Sequence, residues 1–497
     1  MHNQNQKALN ALLALAMAFG YMLIFAYNNT PLGAAVGSDN AMYLTMGTAL
    51  ARGCAPYVDV FDHKGPLLFI LQGLPQAVGG GYNLTAVFLQ ETAALFACLL
   101  AVYALAKKLS CPPIAAQLAY LALTCAFMDG GNLTEEYTNL PTLLALYMAL
   151  CVFGQAQIPQ KLFAPAVVMG ICTAAAFMLR ANNALPLFTL ISVLAVGLLV
   201  RRRFAQLGQC AAGFTLGLLL VFLPILLWLA AKSALSAAWY GAILHNMMYA
   251  ESGSGSRFAA LFVTAYGHMA TAIAALSCVG ALIVFKKRRA PLLACAMLAA
   301  AAAGGLAAFL SRKFYIHYLM LGIPLAAVGF AALLGLADRP RIKRAAVSAT
   351  ALICALWLGI DGHAANQTRL SERADWAQFT ADAQALMAQV PQDERDRFMA
   401  YRVEPRWYVA AEALPCMRFY FLQEVLAQAD PAVMDEIVQT FETDPPHWLV
   451  IYYNRAFNPP YDARVAAIFE TNYEFVDAAG QYQLLRLKEG LPCEPNF

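Results

Sequence analysis

The strongest constraint on this chain is a succession of apolar runs, each long enough to cross a bilayer. A bilayer-spanning helix needs about 20 mostly apolar residues, and inside lipid only a helix or a closed barrel satisfies its own backbone. The runs fall near residues 8–27, 82–106, 112–129, 138–156, 162–180, 184–200, 209–231, 258–285, 290–310, 318–336 and 344–360. Apolar residues make up 61% of the chain and charged residues 13%, against about 45–50% and about 25% in an average soluble domain. The expected fold is a polytopic α-helical membrane protein of about 11 transmembrane helices with outer-face juxtamembrane helices.

Charge sorts along the chain. Nine of the 30 acids precede residue 361 and the other 21 follow it. Basic clusters at Lys107-Lys108, Arg201–Arg203, Lys286–Arg289 and Arg339–Arg344 mark the cytoplasmic ends of the spans. With the N-terminus inside, every such cluster lands inside. The acid-bearing loops and the stretch beyond the last span land outside. The run Pro66–Val78 is short for a span and ends in Gly79-Gly80-Gly81, which reads as an interfacial or half-inserted helix. Its full crossing would turn the basic clusters outward. The net charge of +3 is carried by these loops and implies no nucleic-acid partner.

From Asp361 the sequence becomes charged and has no run long enough to span. Pro446–Tyr453 reads as a buried strand, Tyr473–Leu487 as a hairpin around Ala479-Gly480, and Ala374–Val390 and Pro431–Phe441 as helices. The expected domains are therefore a transmembrane domain over 1–360 and a small extracytoplasmic α/β domain over 361–497. Cys416 and Cys493 are a candidate disulfide pair in the latter.

Chemistry concentrates in the loop from Asn28 to Pro66, where Asp39, Asp59, Asp62, His63 and Lys64 lie beside hydrocarbon, a costly place for charge. Ser38-Asp39-Asn40 is a helix-start signal and Ala41–Arg52 is helix-compatible, closed by Gly53. Asp39 is either the cap of that helix or a general base at the membrane surface. Lys64, between His63 and the acids, suits either a lipid phosphate or snorkelling to the surface. The second outer loop ends in Thr134-Glu135-Glu136. Those carboxylates are candidates to bind a divalent metal, orient a sugar hydroxyl or accept a proton, or they belong to a capping box with Thr134 as N-cap. Arg180 and the stretch Ser311–Tyr318, with Arg312 and His317, put positive charge outside, where an anionic lipid headgroup gives it a reason. Glu91 lies inside a span and is either functional or bonded to a neighbouring helix. The aromatic loop Ala237–Arg257 suits sugar stacking or an interfacial belt. No Walker A or dinucleotide pattern is present.

The order of these features carries a family resemblance. An outer acid precedes a surface helix. Gly53, Pro56, Tyr57, Asp59, Asp62, His63, Lys64 and Pro66 then form a G-x-x-P-Y-x-D-x-x-D-H-K-x-P stretch, and an acid follows in the next outer loop. This resembles the GT-C membrane glycosyltransferases, in particular the branch of protein O-mannosyltransferases and lipid A aminoarabinose transferases. The resemblance implies a polyprenyl-phosphate sugar donor, a lipid, glycan or protein acceptor outside the membrane, and transfer with inversion. It implies Asp39 as base, Lys64 with His63 at the donor phosphate, Glu135 or Glu136 as the second-loop acid, and Arg180, Arg312 and His317 as further phosphate contacts. Tyr57, Asp59, Asp62 and Glu91 would position substrate. Gly65 stands where many relatives have a second proline, and two adjacent glutamates stand where one acid is expected, so Glu135 and Glu136 are not separated. No cofactor is required by the sequence, although a divalent metal fits the acids. The setting is a bacterial plasma membrane. The alternatives are a lipid-linked glycan ligase or polymerase and a lipid-linked sugar transporter.

Overall fold

The computed structural model describes residues 2–155, 157–251, 263–310, 313–337, 339–453 and 462–489. The described helices of at least 12 residues are α1 (His2–Phe25), α2 (Ser38–Ala51), α3 (Pro66–Gly79), α4 (Leu84–Lys108), α5 (Pro113–Cys125), α6 (Thr134–Phe153), α7 (Phe163–Leu179), α8 (Leu185–Val200), α9 (Phe204–Ala231), α10 (Ala265–Arg288), α11 (Pro291–Phe309), α12 (Ile323–Leu334), α13 (Pro340–Met387) and α14 (Ala432–Thr443). Among the described residues, eight helices are long and apolar enough to cross a membrane: α1, α4, α9, α10, α11, α13, and α8 and α12 with their short 3-10 lead-ins. α3, α5 and α7 are shorter apolar helices. No proline follows Pro340 until after Met387, and α13 runs unbroken for 48 residues. The expected helix from Ala374 is its distal part.

The chain divides into two compact units. The first comprises residues 1–32, 88–228 and 253–367 and is built of apolar helices. Small residues let their backbones approach closely, as membrane helices require in the absence of a hydrophobic drive between them. α10 meets α12 at Gly280 and Gly329, where a Cβ on Gly280 would lie 2.5 Å from the Gly329 Cα. On α9, Leu216, Leu219, Leu223, Leu226 and Leu227 recur at helical spacing and are exposed. An apolar stripe of this kind suits lipid rather than water.

The second unit comprises residues 33–87, 229–252 and 368–497, so the first long loop folds with the C-terminal segment. Its sheet has the order β1-β2-β4-β3, with β1 (Phe398–Ala400), β2 (Trp448–Tyr452), β3 (Tyr473–Ala479) and β4 (Tyr482–Leu487). β1 pairs parallel to β2, whereas β2–β4 and β3–β4 are antiparallel. The expected strand, hairpin and α14 are all present; the three-residue β1 had too little sequence to signal itself. The core of this unit is aromatic, with Trp407, Tyr401, Tyr408, Tyr420, Phe398 and Phe441 fully buried. Cys493 lies outside the described residues.

α2 is buried around its whole circumference from Asn40 to Ala49, in keeping with its lack of a polar face. It packs on α3 so closely that a Cβ on Gly47 would strike the Gln72 carbonyl, and one on Gly73 would lie 2.9 Å from the Leu50 side chain. The loop between the two helices returns the chain to the level of Tyr43, whose ring lies 5.5 Å from the Lys64 Nζ. α3 thus starts beside the early turns of α2. It starts with Pro66 at a first-turn position and ends at Gly80, which has φ +69°, the left-handed stop that glycine takes without strain.

Candidate active site

In the second unit, the loop between α2 and α3 is tied into a compact hook. Tyr57 takes φ +64°, a costly angle for a bulky residue. Its backbone N–H donates to the Val60 carbonyl at 2.8 Å, and its hydroxyl donates to the Lys64 carbonyl at 2.6 Å. Asp59 is exposed and its carboxylate accepts the Ala55 N–H at 2.6 Å, so it closes the turn rather than entering the cluster that follows.

That cluster is Asp62, His63 and Lys64, all buried. The Asp62 Oδ1 accepts the Lys64 backbone N–H at 2.6 Å, with the Lys64 Nζ at 3.5 Å and the His63 Nδ1 at 4.0 Å. The Asp62 Oδ2 accepts no hydrogen bond among the described residues. Burial pushes the Asp62 carboxyl above its ordinary range, while the Lys64 ammonium and N–H pull it down and the Asp39 carboxylate adds to the rise. An ammonium carries three donors, and the distant Asp62 contact leaves Lys64 with capacity for a further anion. The hook is backed by a π-helical turn, Tyr240–His245. There the His245 ring lies 6.2 Å from that of His63, and Asn246 donates to the His63 carbonyl. Neither His245 ring nitrogen makes a hydrogen bond by geometry.

Asp39 lies in the first turn of α2, one turn before Tyr43. The N-cap position is Gly37, and no side chain caps the helix. The capping reading of Asp39 is therefore corrected. Its side chain is exposed and lines a cleft of about 300 Å³ with Ser38, Arg402, Glu404, Gln423 and Glu424. Asp39 and Lys64 both approach the face of α2 that carries Tyr43.

A second charged centre lies in the first unit. The Arg180 Nη1 donates to the Glu135 Oε1 at 3.1 Å and both groups are buried. The Arg180 Nη2 donates to the Tyr318 hydroxyl at 3.0 Å, and the Thr134 hydroxyl donates to the other Glu135 oxygen at 2.8 Å. His317, also buried, stacks on Tyr315 at 5.7 Å and meets Tyr318 edge-on at 4.8 Å. Arg312 lies outside the described residues.

Glu136 is turned away from this centre. It reaches back to accept the Leu133 N–H at 2.9 Å, which makes Leu133, rather than Thr134, the N-cap of α6. With Glu91 it lines a small cavity that also includes Tyr120, Tyr137 and Asn139. The Glu91 Oε2 accepts from the Asn29 amide at 3.0 Å, the neighbouring-element bond that was the plainer reading of that residue. Among the described residues, no three His, Cys, Asp or Glu side chains converge to hold a metal ion.

Tyr43, Tyr318, Arg402 and Gln423 were not singled out as site residues from sequence. Tyr318 is 138 residues from Arg180, and no local pattern links such partners.

Residues 5–358 match the family model "Putative competence-induced protein Ccs4 N-terminal domain". No curated protein sequence matches the chain. Solved structures do. ArnT from Cupriavidus metallidurans in the apo state superposes with a TM-score of 0.63 at 12% identity, over 100% of both chains. The same protein bound to undecaprenyl phosphate gives 0.56 at 14% identity, over 98% of this chain and 99% of that one. The archaeal oligosaccharyltransferase AglB from Archaeoglobus fulgidus, in complex with an inhibitory peptide and a dolichol-phosphate, gives 0.51 at 12% identity, over 97% of this chain and 75% of that one. At these identities the likeness is one of fold, and the fold is that of the GT-C superfamily of polytopic membrane proteins.

Proposed function

We propose that this chain, which belongs to the Ccs4 N-terminal domain family, is a membrane glycosyltransferase. It moves a sugar from a polyprenyl-phosphate donor to an extracytoplasmic acceptor with inversion. Two GT-C-fold neighbours were solved with undecaprenyl phosphate and with a dolichol-phosphate, which supports that donor class. The observation that carries the reading is the pairing of Asp39 with Lys64 on the Tyr43 face of α2: an exposed carboxylate at a cleft and a buried ammonium with donors to spare.

The chemistry needs both. An acceptor hydroxyl attacks the anomeric carbon as the bond from that carbon to the phosphate oxygen breaks. The hydroxyl proton passes to Asp39 as general base. The departing polyprenyl phosphate gains negative charge, which Lys64 stabilises at the place where it develops. Tyr57, Asp62 and His63 hold Lys64 in position. Attack opposite the leaving group inverts the anomeric centre. In the first unit, Arg180, His317 and Glu135 form a separate centre that we assign to an anionic headgroup. The N-terminus and the basic clusters are assigned to the cytoplasmic side, and the second unit to the outer side.

Transfer from radiolabelled polyprenyl-phosphate sugars, measured in membranes, tests this. Asp39→Asn should lower turnover by roughly 100- to 10,000-fold with donor binding kept. Lys64→Ala should weaken donor binding and lower turnover by on the order of 100-fold or more. Wild-type rates in both variants would sink the site assignment. A wild-type protein that neither binds nor turns over any such donor would sink the transferase reading.

A further inference from the structure

The cleft beside Asp39 is built to accept hydrogen bonds rather than to donate them. Its lining carries three carboxylates, Asp39, Glu404 and Glu424, against one cation, Arg402. Arg402 is already committed, with its Nη1 2.7 Å from the Glu424 Oε1. Glu404 takes the Arg406 Nε at 2.6 Å and the Ser38 hydroxyl at 3.4 Å. Asp39 makes no ion pair among the described residues.

Gln423 adds an independent sign of a ligand. It is 1% exposed, and its amide nitrogen donates to the Phe419 carbonyl at 3.2 Å, which fixes the orientation of the amide. The Oε1 is left buried at the cleft with no partner. A buried acceptor without a donor is unfavourable, and a donor entering the cleft would remove the deficit. The two wall segments are strained as well: Arg402 and Leu422 have φ of +56° and +48°, angles that side chains rarely adopt without a compensating reason. Phe421 and Pro405 supply an apolar surface between the polar groups.

We propose that this cleft holds the acceptor, and that the end entering it is a hydroxyl-bearing group of about one sugar unit with no phosphate or carboxylate. The proposal rests on the transferase reading for the word acceptor, and on the cleft alone for the ligand chemistry. Volume sets the size, since about 300 Å³ is at the small end of ligand sites. Charge sets the class: an anionic group would meet three carboxylates across short distances with the one cation already paired. Hydroxyls satisfy the Gln423 Oε1 and the carboxylates, and one of them is thereby presented to Asp39.

The test uses the full chain in lipid nanodiscs, without donor, and saturation-transfer difference NMR with methyl glucoside, methyl glucosaminide and methyl glucuronide. The expected result is saturation by the first two, at least tenfold weaker binding of the uronide, and at least fivefold weaker binding of methyl glucoside to Gln423→Leu. Glu424→Gln, which keeps the side-chain shape, should narrow the gap between glucoside and glucuronide, and it reads out the same property if Gln423→Leu does not fold. Equal or tighter binding of the uronide, unchanged binding in both variants, or no saturation by any of the three overturns the proposal. Because no donor is present, these outcomes are separate from failure of the transferase reading, which is read from polyprenyl phosphate binding and turnover.

Discussion

Two buried ion pairs in this molecule follow opposite plans. Around Arg180 and Glu135 the charges are met at close range: one guanidinium nitrogen on the carboxylate at 3.1 Å, another on the Tyr318 hydroxyl, and the Thr134 hydroxyl on the second carboxylate oxygen. Around Lys64 and Asp62 the ammonium stands 3.5 Å from its partner and one carboxylate oxygen has none. A desolvated pair repays its cost only when geometry and added hydrogen bonds are good. The Arg180 centre meets that condition from within the protein. The Lys64 centre falls short of it, as expected of a site completed by a ligand.

The sharpest way to break this comparison is to remove one partner from each pair and follow unfolding in detergent. Arg180→Ala should cost about 3–5 kcal/mol, because it strands a buried carboxylate. Lys64→Met should cost less than half of that, because Asp62, already pushed up by burial, escapes by taking a proton. Equal losses would remove the distinction.

A smaller effect is the pH dependence contributed by Asp62. Its folded value lies above its unfolded value of about 3.9, so folding favours the protonated form. The stability it contributes is fully present below about pH 4 and is lost as pH rises through the folded value. Asp62→Asn should flatten that slope in unfolding titrations, and an unchanged slope would mean that Asp62 does not titrate as a buried acid. The smallest expected change is Glu136→Gln. It weakens the bond to the Leu133 N–H and should cost about 1 kcal/mol or less, with the Arg180 centre intact. A loss as large as that of Arg180→Ala would place Glu136 in that centre after all.

The sequence made the membrane helices legible because lipid demands long apolar runs with few exceptions. The hook was legible for a related reason: Asp62, His63 and Lys64 stand out against apolar neighbours. Capping was not. Gly37-Ser38-Asp39-Asn40 offers four acceptable N-cap residues in a row, and the helix starts one residue earlier than the polar side chains suggest. The same one-residue ambiguity at Leu133-Thr134 concealed which glutamate caps α6 and which meets Arg180. Partners brought from far along the chain left no local trace at all. The Gln423 Oε1 becomes notable only once the cleft it lines can be seen, and Arg418 over Phe61 at 5.3 Å joins segments more than 350 residues apart in the same unit.

The contact of Gly47 with the Gln72 carbonyl gives the α2–α3 pair the character of a fixed gauge. With backbone against backbone there is no side chain to yield, so neither helix can roll on the other without breaking the seat. Asp39 rides at the head of one helix and Lys64 immediately before the other. The gap between proton acceptor and anion holder is thereby set when the protein folds. A reactant pair must match that gap on arrival, and selectivity by length becomes a built-in property of the hairpin.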